Sequence, residues 1–209
     1  MNSVAIVDTG VANIRSLQAA FDRIDPGSWF LTHDPAKIES ARFCVLPGVG
    51  TFGAAIEMLD KRELRQTIID RIEGDRPTLA ICLGMQLLCE SSEESPGLRG
   101  LGIVHETITR FDSSVQVPQL GWNRVEPQSP GPFACGEAYF ANSFRLARPP
   151  QGWNHALTEY GGSFVSSIWR GQTLACQFHP ELSGAWGTEL IQNWYEGKTA
   201  QNQCGADAC

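Results

Sequence analysis

The sequence of 209 residues lacks the features that mark several protein classes. Its seven cysteines form no C-x-x-C pair, so neither a zinc site nor a disulfide framework is indicated. No uninterrupted apolar stretch approaches the roughly 20 residues that a membrane helix needs. The first residues carry no basic segment and meet an acid at Asp8 after four apolar residues, unlike a secretory signal. We therefore expect a cytoplasmic protein with reduced thiols and no membrane association.

Positive charge is also scarce. The chain has 16 Lys and Arg against 23 Asp and Glu, a formal net charge of −7, and its basic residues do not cluster. Nucleic acids and anionic membranes bind to basic surfaces, so we expect neither as a partner. The 42% of hydrophobic residues excludes general disorder. We expect a single domain over residues 1–198 and a disordered tail over 199–209, where apolar side chains are few.

The two halves of the chain carry different apolar patterns. In the first half, short apolar strands alternate with segments of helical periodicity, which is typical of a parallel sheet covered on both faces. In the second half, short strands are separated by Gly, Pro and Ser turns, and a closing helix carries Trp186, Leu190 and Trp194. We predict an α/β fold with a mostly parallel central sheet and an antiparallel extension. The first-half strands are predicted at 4–7, 29–31, 44–46 and 78–81, and the first-half helices at 13–23, 51–59, 63–73 and 85–90.

A glycine motif at residues 48–53 fits the dinucleotide-binding pattern G-x-G-x-x-G. It follows the third predicted strand, whereas a dinucleotide fingerprint belongs to the first strand-to-helix turn. This placement disfavours a nicotinamide or flavin site, and we expect no cofactor and no metal. A glycine-rich strand end can instead turn its backbone N–H groups toward an oxyanion, because no side chain blocks the approach.

Cys82 stands where a predicted strand runs into a turn and then a helix, which is the pattern of a nucleophile elbow. Ala80 and Gly84, two residues to either side, are small enough for a sharp turn. The amides at the start of the helix favour the thiolate form of the cysteine. The alternative is a buried cysteine that ends a core strand, and the elbow pattern alone does not separate the two interpretations.

A second motif, His179-Pro180-Glu181, adds the groups that a nucleophile needs. Side chains alternate in an extended segment, so His179 and Glu181 point the same way. A carboxylate in that position can fix the tautomer of the imidazole. Such a pair is usually an ordinary surface feature, but beside a cysteine elbow it completes a nucleophile–base–orienter set.

These residues resemble the class I, or triad, glutamine amidotransferases, and the resemblance extends through Gly197. Within that class, the similarity is to glutaminase subunits that serve a (β/α)-barrel cyclase in histidine biosynthesis. The cysteine and His-Pro-Glu motifs are common to the superfamily, whereas Pro-Gly-Val-Gly and Gly-Trp-Asn are more specific. The matching segments are residues 7–8, 13–16, 46–52, 81–88, 121–123 and 177–181.

The resemblance implies a flavodoxin-like three-layer α/β sandwich that hydrolyses L-glutamine to glutamate and ammonia. It implies Cys82 as nucleophile, His179 as general base and then acid, and Glu181 as the residue that orients His179. The backbone N–H groups of Val49 and Leu83 would form the oxyanion hole. The residues implied to hold glutamine are Gly48, Gly50, Gln86, Glu94, Ser143 and Phe144.

The resemblance also implies a heterodimer with the barrel cyclase, to which ammonia passes directly. The chain has no P-loop and no Arg/Lys cluster for a phosphorylated acceptor, so we expect the acceptor to bind to the partner. Asn13, Gln119, Trp122 and Leu182 would face that partner. Gln119 stands where the family commonly has histidine, and Leu182 stands where lysine is usual.

Alternatives remain at this point. The chain could be the glutaminase subunit of another amidotransferase, such as a paralogue or a chorismate-aminating enzyme, or another cysteine hydrolase of similar fold. It could also be a catalytically silent binding module on the same scaffold. The complete Cys82, His179 and Glu181 set weighs against the silent module, because the loss of one member would be its mark in the sequence.

Overall fold

The computed structural model describes residues 3–8, 14–48 and 50–200. Within these residues, 12 strands belong to one sheet. The strands are β1 (Val4–Val7), β2 (Trp29–Thr32), β3 (Phe43–Gly48), β4 (Thr78–Cys82), β5 (Cys89–Ser92), β6 (Val104–Arg110), β7 (Gln119–Pro127), β8 (Gly136–Asn142), β9 (Phe144–Leu146), β10 (Asn154–Glu159), β11 (Ser163–Arg170) and β12 (Thr173–Cys176).

Helices follow most of the parallel strands. They are α1 (Ile14–Ile24), α2 (Pro35–Ser40), α3 (Phe52–Lys61), α4 (Leu64–Glu73), α5 (Leu83–Leu87) and α6 (Gly184–Glu196), with a short 3₁₀ turn at Pro180–Leu182. In the part of the chain that is described, none of the helices has both the length and the apolar character to cross a membrane.

The sheet runs in the order β2-β1-β3-β4-β12-β11-β10-β7-β8. Its first five strands are parallel, and the strands from β11 onward pair antiparallel. A parallel pair, β5 and β6, is joined to β11 through β9. The predicted α/β fold, with a parallel centre and an antiparallel extension, is confirmed.

The alternation of side chains along the strands builds two hydrophobic layers. On β1, Ala5 and Val7 join the core beneath α3 and α4, whereas Val4 and Ile6 join the core beneath α1 and α6. Because the central strands are covered on both faces, all four of these residues are fully buried.

Some elements differ from the expected ones. The helix expected at 85–90 ends at Leu87, and β5 begins at Cys89. Helix α2 was not predicted, although Pro35 at its start and Asp34, whose side chain accepts from the Ala36 N–H at 3.0 Å, are ordinary helix-start signals. The helix is only six residues long, so its apolar periodicity is too short to recognise.

Two findings concern groups that the apolar pattern does not reveal. Cys135 is disulfide-bonded, so the expectation of reduced thiols is wrong at this position. A disulfide depends on the proximity of two cysteines in space, which sequence spacing does not show.

Arg71 is 1% exposed although it is charged. Its guanidinium group donates to the backbone carbonyls of Ile38, Glu39, Ala41, Arg42 and Pro77.

Candidate active site

Cys82 ends the central strand β4 in a backbone conformation that L-residues rarely adopt, with φ 54° and ψ −112°. Helix α5 begins at the next residue, so the strand, the strained turn and the helix form a nucleophile elbow. Gly84 is required there, because an added Cβ would lie 2.1 Å from the carbonyl oxygen of Leu46. Likewise, a Cβ on Gly48 would lie 2.4 Å from the Gly84 nitrogen. The glycine-rich end of β3 therefore packs backbone to backbone against the elbow.

The fold brings His179 to the same edge of the sheet. Strand β12 runs parallel to β4 with Cys176 opposite Ile81, so the chain leaves β12 next to the elbow. The backbone of His179 is held on both sides. Its N–H donates to the carbonyl of Tyr139 at 2.9 Å, and its carbonyl accepts from the Ser183 hydroxyl at 2.7 Å.

The three side chains lie together beside the elbow. His179 Nδ1 lies 2.9 Å from Glu181 Oε1, with the two side chains only 11% and 5% exposed. The side chain of His179 also lies close enough to the Cys82 sulfur for that sulfur to raise the pKa of the imidazole, and both residues line one cavity. A cysteine, a histidine and a carboxylate in this order have the geometry of a nucleophile, its base and the group that orients the base.

The charge state of His179 follows from its neighbours. Burial by itself lowers the pKa of His179, because it disfavours the charged imidazolium. The neighbouring side chains of Cys82 and Glu181 act in the opposite direction and prevail, so the pKa of His179 is raised from 6.5 to about 10. At neutral pH, the ring is therefore an imidazolium that lies between an ionisable sulfur and a carboxylate.

The other described free thiols lack such partners. Burial raises the pKa of Cys44 to about 11. It also raises the pKa of Cys89 and of Cys176. These buried thiols stay protonated at neutral pH and act as small core residues. Among the free cysteines in the described ranges, Cys82 alone has an imidazole against its sulfur.

A cavity of about 240 Å³ opens over Cys82. Drug-sized ligands occupy roughly 300–1,000 Å³, so a cavity of this size suits a smaller molecule such as an amino acid. The residues that line it are Gly48, Gly50, Cys82, Leu83, Gln86, Glu94, Ala141, Asn142, Ser143, Phe144 and His179. Each residue expected to hold glutamine thus lies at the cavity wall.

Glu94 connects the cavity to the glycine-rich loop. Its Oε2 accepts from the backbone N–H of Phe52 at 2.6 Å, and the neighbouring Ser95 hydroxyl accepts from Gly53 at 2.9 Å. Both bonds satisfy amides at the start of α3, where a carboxylate is favoured by the helix dipole. Glu94 therefore places a negative charge in the cavity and anchors the end of the loop.

The expected oxyanion groups are described in part. Leu83 is the first residue of α5 and lines the cavity beside Cys82. Gly48 and Gly50 also line it, and Gly50 has φ +98°, which glycine adopts without strain. Val49 lies outside the described residues.

The expected partner-facing residues fall into three groups. Trp122 and Leu182 are 54% and 38% exposed, and Leu120, which was not expected, is 62% exposed. Gln119 is instead 1% exposed, so its side chain does not face outward. It points to the opposite side of β7 from Leu120, as alternation along a strand requires. Asn13 lies outside the described residues.

One residue beside the nucleophile was missed. The side-chain amide of Gln177 lies 3.6 Å from Cys82 Sγ and is fully buried. The alternation that aligned His179 with Glu181 also applies two residues earlier, so it could have indicated Gln177.

A second cavity, of about 490 Å³, lies at the opposite ends of the strands, near Pro77 and Thr173. Among the described residues, its lining contains no cysteine and no histidine. Within residues 3–8, 14–48 and 50–200, no group of three His, Cys, Asp or Glu residues could hold a metal ion. The larger cavity therefore offers no comparable reactive set, and Cys82 marks the candidate active site.

Comparison with known proteins places the chain in a family. The class-I glutamine amidotransferase family matches residues 6–197, and the chain belongs to this family. It is 40% identical over 201 residues to the imidazole glycerol phosphate synthase subunit HisH of Thermococcus kodakarensis, covering 91% of this chain and 98% of that one. The subunit of the same name from Symbiobacterium thermophilum is 37% identical over 199 residues, 93% of each chain. The chloroplastic imidazole glycerol phosphate synthase hisHF of Arabidopsis thaliana is 35% identical, covering 96% of this chain and 35% of that protein.

Solved structures share the fold at lower identity. A crystal structure of a glutamine amidotransferase superposes with a TM-score of 0.75 at 18% identity, covering 93% of this chain and 97% of that one. The PurLQS structure from Thermotoga maritima gives a TM-score of 0.71 at 17% identity, covering 94% of this chain and 99% of that one. These likenesses establish the fold alone.

Proposed function

We propose that the chain is the glutaminase subunit of an imidazole glycerol phosphate synthase. It hydrolyses L-glutamine to glutamate and ammonia, and a cyclase partner uses the ammonia to form imidazole glycerol phosphate and AICAR in histidine biosynthesis. The observation that carries the proposal is the Cys82–His179–Glu181 set, of which Cys82 and His179 line an amino-acid-sized cavity. The full-length similarity to curated HisH subunits supports the same pathway.

The proposed reaction has two halves. The thiolate of Cys82 attacks the side-chain carbonyl of glutamine, His179 gives its proton to the departing nitrogen, and the C–N bond breaks to release ammonia. Water then attacks the γ-glutamyl thioester while His179 takes its proton, and the C–S bond breaks to release glutamate. Glu181 holds the imidazole in one orientation throughout.

The cavity supplies the binding groups for this reaction. The N–H groups of Leu83 and Val49 stabilise the tetrahedral oxyanion, and Gly48 and Gly50 leave that approach open. Removal of one such donor commonly costs about 10²–10³ in rate. The carboxylate of Glu94 pairs with the α-ammonium group of glutamine. The backbone around Ser143 and Phe144 anchors the α-carboxylate, and Gln86 completes the wall.

Ammonia loses its nucleophilicity once it is protonated, so direct transfer to a partner has a chemical reason. The exposed apolar side chains of Leu120, Trp122 and Leu182 form the docking face that we propose for a (β/α)-barrel cyclase in a heterodimer. This proposal retains Trp122 and Leu182 and replaces the buried Gln119 by Leu120. We propose a cytoplasmic location, where glutamine is available.

The decisive variant is Cys82→Ser. A serine hydroxyl is nearly isosteric but a far weaker nucleophile, so glutamate release should fall to background while the fold is kept. A glutamine-analogue affinity label should add its mass to the wild type at Cys82 and leave the variant unlabelled. Cys44→Ala is the control, because Cys44 is a buried core residue and should leave both readouts unchanged.

Wild-type turnover in Cys82→Ser would place the nucleophile elsewhere. The pathway is tested by measuring glutamate release alone, with the cyclase, and with the cyclase and its acceptor nucleotide. Activation by a chorismate-binding partner in place of the cyclase would favour the chorismate-aminating alternative.

A further inference from the structure

The side chain of Gln177 contacts the reacting sulfur directly. Gln177 follows β12, is fully buried, and its backbone N–H donates to the Ser166 carbonyl at 2.8 Å. Its Nε2 lies 3.6 Å from Cys82 Sγ, within hydrogen-bonding distance for sulfur. The residue is not part of the cavity wall. Its side chain therefore contacts the sulfur from outside the cavity wall.

The orientation of this amide is set by a second glutamine. Gln86 Nε2 donates to Gln177 Oε1 at 2.8 Å and to the Phe144 carbonyl at 3.2 Å. A flipped Gln177 would place its NH₂ group against the NH₂ group of Gln86, so two donors would face each other. The network consequently leaves the NH₂ group of Gln177 toward the sulfur.

We propose that Gln177 is a catalytic residue that stabilises the ionised sulfur of Cys82, and that Gln86 is the positioning residue that aims the Gln177 amide. Hydrogen bonds to ionised groups are stronger than those between neutral groups. A neutral amide also keeps its hydrogen through the whole cycle, whereas His179 stabilises a thiolate only while it is protonated.

This inference rests on the proposed glutaminase reaction and adds a role in each half of it. Before attack, the Gln177 N–H favours the thiolate together with the imidazolium of His179. During thioester hydrolysis, His179 accepts the proton of water. When the C–S bond breaks, the electron pair returns to a sulfur that still receives the Gln177 hydrogen bond. Both steps are therefore slower without the amide.

The test is the Gln177→Met variant, which keeps a side chain of similar length and removes the donor. Alkylation of Cys82 by iodoacetamide, followed by mass spectrometry across a pH series, should be about tenfold slower at neutral pH and shifted to higher pH. The kcat for glutamine should fall about tenfold with a much smaller change in KM, since Gln177 does not line the cavity and affects substrate binding only through its bond to Gln86. Gln177→Glu keeps the shape of the side chain and replaces the donor by an acceptor, so it should slow alkylation further than Gln177→Met. It replaces Gln177→Met as the test variant if the methionine variant does not fold.

Gln86→Met should also slow the alkylation of Cys82, by a smaller factor than Gln177→Met does. In a Gln86/Gln177 double variant, the Gln86 change should add little to the effect of the Gln177 change. Iodoacetamide is the right probe here because Gln86 lines the glutamine cavity and its loss also changes substrate binding. Ser167→Ala is the matched control. The Ser167 hydroxyl is a buried donor 3.8 Å from the sulfur of a different cysteine, Cys176, so its loss should leave Cys82 alkylation unchanged.

A Gln177→Met variant that alkylates and turns over like the wild type, while Cys82→Ser is inactive, would overturn this inference and leave the proposed function standing. An equal loss of alkylation in Ser167→Ala would also overturn it, because the effect would then be general loosening of the core. A wild type that releases no glutamate with or without the cyclase would refute the proposed function, and the alkylation readout would still decide the Gln177 contact.

Discussion

The backbone N–H of His179 donates to the carbonyl oxygen of Tyr139 at 2.9 Å, so the proposed catalytic base is tied to strand β8. The Tyr139 ring packs edge-on against Trp122, with ring centroids 6.2 Å apart. Trp122 belongs to the exposed apolar face with Leu120 and Leu182. A partner that covers this face would contact Trp122. Through Tyr139, Trp122 is linked to the strand β8 that binds the backbone of His179.

The first prediction is that the isolated chain is a poor glutaminase and that Trp122→Ala weakens its activation by the cyclase. A 100-fold activation needs only about 2.7 kcal/mol of differential binding to the active state, which one buried aromatic side chain can supply in large part. The measurement is glutamate release against cyclase concentration. Leu31→Ala is the control, because Leu31 is 41% exposed on β2, far along the sheet from β8. Full activity without the cyclase would contradict the prediction.

The second prediction concerns the bond between His179 Nδ1 and Glu181 Oε1. Glu181→Gln removes the charge and weakens the bond that raises the pKa of His179, so the titration of this ring should move down from about 10. Glutamate release should fall by about 10²–10⁴, while Cys82 still reacts with a chloroketone analogue of glutamine. NMR titration of the imidazole and a glutamate assay provide the two measurements.

The raised pKa of His179 also predicts a pH dependence of the free energy of unfolding. The pKa of His179 is higher in the folded chain than its unfolded value of 6.5, so folding favours the protonated ring. The resulting stabilisation is fully present below pH 6.5 and is lost as the pH rises through about 10. The difference in unfolding free energy between wild type and Glu181→Gln should accordingly become smaller as the pH rises from 6.5 to about 10. A difference that grows with pH would contradict this assignment.

The third prediction concerns the buried Arg71. Arg71→Met should lower the free energy of unfolding by about 3 kcal/mol, because the carbonyl of Ile38 loses the Arg71 donor and those of Ala41 and Pro77 each lose one of two donors. Denaturant unfolding measures the loss. Arg99→Ala, an exposed arginine, should change the stability by no more than about 0.5 kcal/mol. Equal effects in both variants would show that the Arg71 bonds do not hold the loop between α2 and β3.

The sequence determined most of the strands and helices of the first half, because each depends on apolar periodicity within a short window, and it missed the short elements α2 and β5. The strand before Cys82 and the helix after it are of this kind, and so is the extended segment that aligns His179 with Glu181. The resemblance to a family was equally available, since its motifs are contiguous runs of residues.

Only the tertiary structure decided which polar side chains are buried and what they contact. Gln119 is buried beside the exposed Leu120, Arg71 reaches carbonyls some 30 residues away in sequence, and Gln177 meets Cys82 across 95 residues. The contacts of Arg71 start from α4, and that of Gln177 starts from the end of β12, each with residues far away in sequence. Local periodicity contains no information about such neighbours, because the pairing of strands brings together residues that no sequence window spans.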